Sequence, residues 1–354
     1  MLAVDLIVET DAAPAFSLAA DRHFMHAVQR ASRTRNAVLR VYGFSGDVLA
    51  LGRYNAAPPE PAASVQVTRR HTGGRAIPFG DGFVGLSLVL PHRSALFSAD
   101  PFALAPHQVI NRYVRGLLEA CKLAQVPAFY PGRDFVTVGG RILAMVSFEV
   151  DEHGALLFEA VVANTRDFSM LPRFLEAVDP TGIVRAEMLT PESTTSLARE
   201  LGTGLSLAEV AGLLQRGYAK QFSLALEPHA LSTLEMQAIE AIAAREFTSE
   251  IWLHSRQQRP ELDHRASAWM QLGVFEAQYS LEQDRFLKEI QFSGDFIANS
   301  PAISRLEHEL RLCPAEWRAI DAIASEIFSQ PDHFILGIGR ARAIADLIVR
   351  GLGA

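Results

Sequence analysis

The apolar positions of the first 165 residues fall into short runs separated by turn residues. "DLIVE" (5–9), "AVLRVYGF" (37–44), "DVLALGRY" (47–54), "VQVTRR" (65–70), "VGLSLVLP" (84–91), "RILAMVSFEV" (141–150) and "ALLFEAVVA" (155–163) are rich in β-branched residues and predict strands. The second and third are separated by a turn at Ser45-Gly46. Two longer stretches follow a helical period instead. One places Leu18, Phe24, Met25 and Val28 on a common face, the other Val109, Ile110, Tyr113, Leu117 and Leu118. Consecutive hairpins with inserted helices predict an α+β unit whose sheet is largely antiparallel and flanked by helices.

From about 169 to 225 the pattern turns helical. "GTGLSLAEVAGLLQRGYAKQF" offers Ser206 as N-cap and Glu209 at the third helical position, the two halves of a capping box. "STLEMQAIEAIAAREF" then predicts a helix, and the residues beyond it read as two strands around a polar turn, followed by the helix "SPAISRLEHELRL". We therefore expect a catalytic part over 1–225, a linker helix over 226–245 and a small C-terminal α/β part over 246–354. The last forty residues read as helical, and "GIGRAR" within them as a turn between helices.

Composition narrows the class of partner. Of 354 residues 49% are hydrophobic, and the formal net charge is -7. With no long basic block, a nucleic-acid partner is not expected. No uncharged apolar run approaches the roughly 20 residues that cross a bilayer, and the acidic N-terminus lacks the bases of a secretory signal. The expectation is a cytoplasmic protein without a membrane partner, its two cysteines, Cys121 and Cys313, reduced.

The candidate chemistry lies in "RRHTGGRAIPFGDG", residues 69–82. Gly73 and Gly74 open backbone conformations that bring amide N–H groups close to a ligand, and anions suit such a place. Arg69 and Arg70 point to opposite sides of a strand, so one can face a ligand while the other braces the loop. Arg75 adds a guanidinium able to grip phosphate or carboxylate. Arg141 opens an otherwise apolar strand and is a further candidate ligand, while Asp134 and the His153-Gly154 pair flank that strand.

In order and spacing, "RRHTGGRAI", "GRDFVTVGGRI" and "HGALLFEAVV" resemble the lipoate-protein ligase family of the biotin/lipoate ligase superfamily. "REFTSEIWLHSRQQRPEL" (245–262) and "GVFEAQYSLEQDRFLKEIQFSGDF" (273–296) resemble its C-terminal accessory domain. The resemblance implies a class II synthetase-like fold, ATP and Mg²⁺, and a two-step reaction. Lipoate or octanoate is first adenylated, then passed to a lysine of a 2-oxoacid dehydrogenase E2 lipoyl domain or of the glycine-cleavage H protein. Carried over residue by residue, Arg69, Arg70, Thr72, Gly73, Gly74, His153 and Gly154 would contact the acyl substrate. Arg70, Arg75, Ala76, Ile77, Pro78 and Arg141 would contact the nucleotide, Asp134 the metal, and Arg141 would be catalytic. "GLSLVLP" and "RILAMV" would line a dry acyl tunnel. Arg141 stands where the family has lysine, and Arg75 where it has a third glycine. The usual histidine and asparagine are absent from "FGDGF", and Phe135 replaces an acid. An ATP-independent acyltransferase and a non-catalytic lipoyl-binding homologue are the alternatives.

Overall fold

The computed structural model describes residues 2–30, 37–57, 65–178, 189–257, 259–283 and 285–352. Its sixteen strands, among the described residues, are β1 (Leu2–Glu9), β2 (Val38–Tyr42), β3 (Asp47–Leu51), β4 (Gln66–Arg69), β5 (Ile77–Gly80), β6 (Phe83–Leu90), β7 (Ala128–Phe129), β8 (Phe135–Val138), β9 (Arg141–Val150), β10 (Leu156–Ala163), β11 (Leu224–Pro228), β12 (His264–Trp269), β13 (Val274–Glu282), β14 (Phe286–Gly294), β15 (Ile297–Ala298) and β16 (Ile335–Leu336). The α-helices are α1 (Pro14–Arg30), α2 (Val109–Leu123), α3 (Leu171–Val178), α4 (Leu197–Leu201), α5 (Leu207–Phe222), α6 (Thr233–Ile242), α7 (Glu250–Leu253), α8 (Ser300–Glu309), α9 (Trp317–Phe328) and α10 (Ala343–Leu352).

Eight strands form the main sheet in the order β11-β1-β2-β6-β10-β9-β8-β7. β1 runs parallel to both β11 and β2, and the remaining pairings of this sheet are antiparallel. The fold is thus the mixed α+β class that the pattern predicts. One face is apolar, with Leu39, Leu86, Leu88, Phe148 and Phe158 packed beneath α2 and α5. Those two helices cross closely because Gly116 and Gly217 leave room. A Cβ on Gly116 would stand 2.6 Å from the Tyr218 ring. The predicted Ser206–Glu209 capping box starts α5. On the opposite face lie α1 and the small sheet β4-β3-β5.

Two local expectations change. β2 and β3 do not pair, because both edges of β2 are taken by β1 and β6 while β3 pairs with β4 and β5. The chain therefore leaves the main sheet at Gly46, where φ is +77°. Residues 226–228, expected in a linker, instead complete β11 at the sheet's edge beside β1.

The C-terminal residues build their own core from Phe275, Tyr279, Phe292, Ile303, Leu306, Ile320 and Ile344. The two-strand expectation there becomes three strands, β12-β13-β14. A two-residue strand precedes the Gly337–Gly339 turn, which so joins a strand to α10. The two parts share residues: Leu272, Ile297 and Phe334 enter the core of the main sheet, and Tyr54 enters the C-terminal core.

Candidate active site

β4 ends at Arg69, and residues 70–76 cross the polar face of the main sheet to reach β5. Arg69 is fully buried, and its guanidinium donates to the carbonyls of Gly52, Arg53, Asn55 and Leu253 at 2.7–3.0 Å. Burial without a nearby carboxylate pushes its pKa down to about 9. Its donors are spent on the loop and on the end of α7, so Arg69 braces the site instead of meeting a ligand.

Arg70 takes the other direction. Its Nη1 donates to Thr72 Oγ1 (3.0 Å) and its Nη2 to the Arg75 carbonyl (2.8 Å). Burial draws its pKa below the usual arginine range, opposed by Glu159. Glu159 Oε2 lies 3.6 Å from Nη1 and accepts a hydrogen bond from Thr72. The Nε of Arg70 is buried with no partner, a vacant donor that an anionic acceptor would satisfy. His71, between them, turns away to the Leu18 carbonyl at 2.9 Å.

The face beneath this loop is charged, not dry. Register aligns Arg40, Ser87, Glu159 and Ser147 in one row across β2, β6, β10 and β9, all buried. Arg40 bonds Asp21 and Glu9, and these acids hold its guanidinium charged against the opposing effect of burial. Ser87 Oγ donates to Asp21 (3.0 Å), and Ser147 Oγ to the Gly73 carbonyl (2.9 Å). None of these residues was expected from the sequence. The available signal was a lone polar residue in each apolar strand, as in "LLFEAVVA", but its use requires the register.

The next row holds Tyr42, Gly85, Val161 and Met145. Gly85 is open only to aromatic rings, since a Cβ there would lie 2.5 Å from Tyr42 and 2.7 Å from Phe79. Phe44 packs against Phe79 with centroids 4.2 Å apart and the rings tilted by 39°. The predicted tunnel lining is therefore divided. Ile142 and Met145 join this aromatic cluster, whereas Leu143, Ala144 and Val146 belong to the core under α2 and α5.

Arg75 reaches across to Asp134, with Nε 2.8 Å from Oδ2. Burial raises the Asp134 pKa while Arg75 opposes it. Asp134 Oδ1 is buried and lacks a hydrogen-bond partner. Even so, among the described residues no three His, Cys, Asp or Glu side chains cluster to hold a metal. Asp134 is here the counter-ion of Arg75, and magnesium at nucleotide sites is held by one or two carboxylates together with substrate phosphates, not by a protein cage. Ala76 and the buried Ile77 and Pro78 follow directly into β5.

Arg141 and His153 are parted by the length of β9. Arg141 opens the strand, its Nη2 2.7 Å from Glu200 and its Nε buried without a partner. Hydrogen bonds from Thr195 and Arg141 keep the Glu200 pKa low against the effect of burial. Ser147, which touches Gly73, lies six residues on, roughly 20 Å at strand rise. His153 lies past the far end, in a turn set by Asp151 and by Gly154 at φ +86°. The His153 side chain is 62% exposed. The expectation that His153 and Gly154 border the same site as Arg141 is corrected on that ground.

The C-terminal residues meet the glycine loop directly. Gly74 N donates to the Phe296 carbonyl at 2.7 Å, and Gly74 has φ +89°. Asn55 Nδ2 donates to Gly294 O (2.9 Å), and Tyr54 Oη to Ala298 O (3.1 Å). Glu149 Oε1 accepts from Ser300 N (2.8 Å) at the start of α8. Burial pushes the Glu149 pKa up to about 7, partly offset by Arg53 and Ser300. The folded chain therefore retains this proton between pH 4.5 and 7, where the unfolded chain gives it up. The associated stability is fully present below pH 4.5 and falls by up to about 3 kcal/mol as pH rises to 7. Glu149→Gln is expected to remove that slope, which denaturant titrations of both proteins at pH 5 and 8 would read. An unchanged slope would exclude Glu149 as its source.

A sequence model of the lipoyl protein ligase A/B catalytic domain matches residues 13–219. The chain belongs to that family. The matched span contains the glycine loop, Asp134, Arg141 and Glu159. LipL1 of P. falciparum, solved in complex with lipoate, covers 98% of this chain and 99% of its own, with TM-score 0.72 and 12% identity. A bipartite lipoate protein ligase from Thermoplasma acidophilum, studied with its E2 lipoyl domain, covers 73% of this chain and 98% of its own, with TM-score 0.59 and 19% identity. A lipoate-protein ligase A bound with ATP covers 72% and 100%, with TM-score 0.57 and 17% identity. At such identities the likeness establishes the fold. No curated protein matches the sequence significantly. Among the described residues of this family member, no helix is long and apolar enough to cross a membrane.

Proposed function

We propose that the protein condenses lipoate or octanoate with ATP and transfers the acyl group to a lysine of a lipoyl-domain or H-type acceptor protein. The observation that carries the reading is Arg70: a buried guanidinium, fixed at both Nη atoms beside a glycine loop, with its Nε donor vacant. Family membership supplies the reaction class. In the first step a carboxylate oxygen of the acid attacks the α-phosphorus, the bond to the β-phosphate breaks, and pyrophosphate leaves. In the second, the acceptor amine attacks the acyl carbon, AMP leaves, and the amine loses a proton.

Both steps bring negative groups together, so positively charged donors fixed in advance lower the barrier. On this reading Arg70, Thr72, Gly73 and Gly74 receive the acyl acid. Arg75, Ala76, Ile77 and Pro78 border the nucleotide, and Arg141, through its own vacant Nε, stabilises charge developing at the phosphate. No step is assigned to Mg²⁺. Residues up to about 225 carry the chemistry in a cytoplasmic enzyme, and those after about 245 form an accessory unit whose Phe296 touches the loop.

An acyl-cysteine transferase fits less well. Burial pushes the Cys121 thiol up to about 12, and it raises Cys313 too, so neither supplies a thiolate near neutral pH. Cys121→Ser is expected to leave acyl transfer within about twofold of the parent; loss of transfer with the fold intact would restore the cysteine mechanism. The direct test is pyrophosphate–ATP exchange with lipoate and with octanoate. Acid-dependent exchange supports the ligase. Transfer from octanoyl carrier protein without exchange supports the ATP-independent enzyme, and tight acid binding with neither supports a non-catalytic binder.

A further inference from the structure

Glu159 is the only charged side chain of β10, in an otherwise apolar strand, and it is 2% exposed. It stands in register between Ser87 and Ser147, directly under the glycine loop. We propose that Glu159 is the positioning residue for Arg70, orienting it so that the vacant Nε meets the carboxylate of the acyl substrate. The inference rests on the function proposed above.

A hydroxyl donates once, and Thr72 donates to Glu159 Oε2. Its lone pair is thereby left to accept Arg70 Nη1 at 3.0 Å. The same carboxylate oxygen lies 3.6 Å from that nitrogen and provides the counter-charge a buried guanidinium needs. Arg70 Nη2 is held separately by the Arg75 carbonyl at 2.8 Å. Each terminal nitrogen thus commits a donor to the protein, and Nε is the guanidinium nitrogen left with no partner. A residue at 159 with no side-chain oxygen would free the Thr72 proton and release Arg70 from this orientation.

The experiment measures acid-dependent pyrophosphate exchange, with lipoate and octanoate as probes, for Glu159→Ala, Glu159→Gln and Thr72→Val. Glu159→Ala is expected to raise the KM for the acid about tenfold, with kcat within about threefold. Glu159→Gln retains an oxygen for Thr72 and is expected to restore KM to within about threefold of the parent. Thr72→Val cuts the same link without altering β10, so it reports even where the alanine variant does not fold, and it is expected to raise KM as the alanine does. In an Arg70→Lys background, Glu159→Ala is expected to add no further effect, because both changes remove one arrangement. Unchanged KM in Glu159→Ala and Thr72→Val, or effects that multiply with Arg70→Lys, would overturn the proposal. Absence of acid-dependent exchange in the parent protein would instead overturn the function on which it rests.

Discussion

Alanine at Gly73 is expected to destabilise the protein by about 3 kcal/mol, on the order of 5–10 °C in Tm, and to abolish activity. Its Cβ would lie 2.3 Å from the Phe296 carbonyl oxygen and 3.0 Å from the Ile297 Cα, both backbone atoms. No rotamer change relieves such a clash, so the loop must part from the C-terminal residues. Parting breaks the Gly74 N–Phe296 O bond and removes Ile297 from the core of the main sheet. It also pulls the Gly73 carbonyl off Ser147. Gly212→Ala is the control. It sits within α5 with only the tip of Arg216 nearby, at 3.4 Å, and is expected to be neutral or stabilising by a few tenths to about 1 kcal/mol. Thermal unfolding of the two variants against the parent decides the matter; a Gly73→Ala protein as stable as the control would show that close approach does not hold the loop.

Arg141→Ala is expected to lower adenylation at least about a hundredfold with the fold intact. The side chain is 34% exposed and pairs with Glu200, in a segment hydrogen-bonded to the start of β9. Loss of the arginine leaves Glu200 with Thr195 and with access to water, so unfolding is not the expected outcome. Arg141→Lys retains the charge and reinstates the residue type of the resembled family, and it is expected to keep adenylation within about tenfold. Planar arginine and compact lysine are not equivalent at a site of this kind, so some loss is expected. Exchange kinetics alongside circular dichroism provide the readout. Full turnover in Arg141→Ala would remove this residue from the mechanism and confine the site to the glycine loop.

Much of the fold was legible because periodicity reports which face of an element is buried. The strands and the two long helices of the first 165 residues follow that rule, and Ser206 with Glu209 announced the start of α5. Pairing between strands is not periodic. "AVLRVYGF" and "DVLALGRY" look like a hairpin, yet they part because neighbours distant in sequence claim the edges of the first. Within the site, glycines and arginines marked the loop, but what they approach was hidden. That Gly73 meets Phe296 depends on residues more than two hundred positions apart. Alternation allowed one of Arg69 and Arg70 to brace and the other to bind; the carbonyls of Gly52, Asn55 and Leu253 identify Arg69 as the brace. Glu159, Ser147 and Arg40 escaped because a lone polar residue in a strand gains meaning only from its register partners.

On the proposed function, Arg70 and the glycine loop hold an acyl acid against a nucleotide. Its most direct test is mass spectrometry of the protein incubated with ATP and lipoate in the absence of acceptor protein. Lipoyl-adenylate is expected to be retained by the parent protein and lost in Arg70→Lys. Failure to form any acyl-adenylate with lipoate or octanoate, while the folded protein still transfers an acyl group from a carrier, would contradict it.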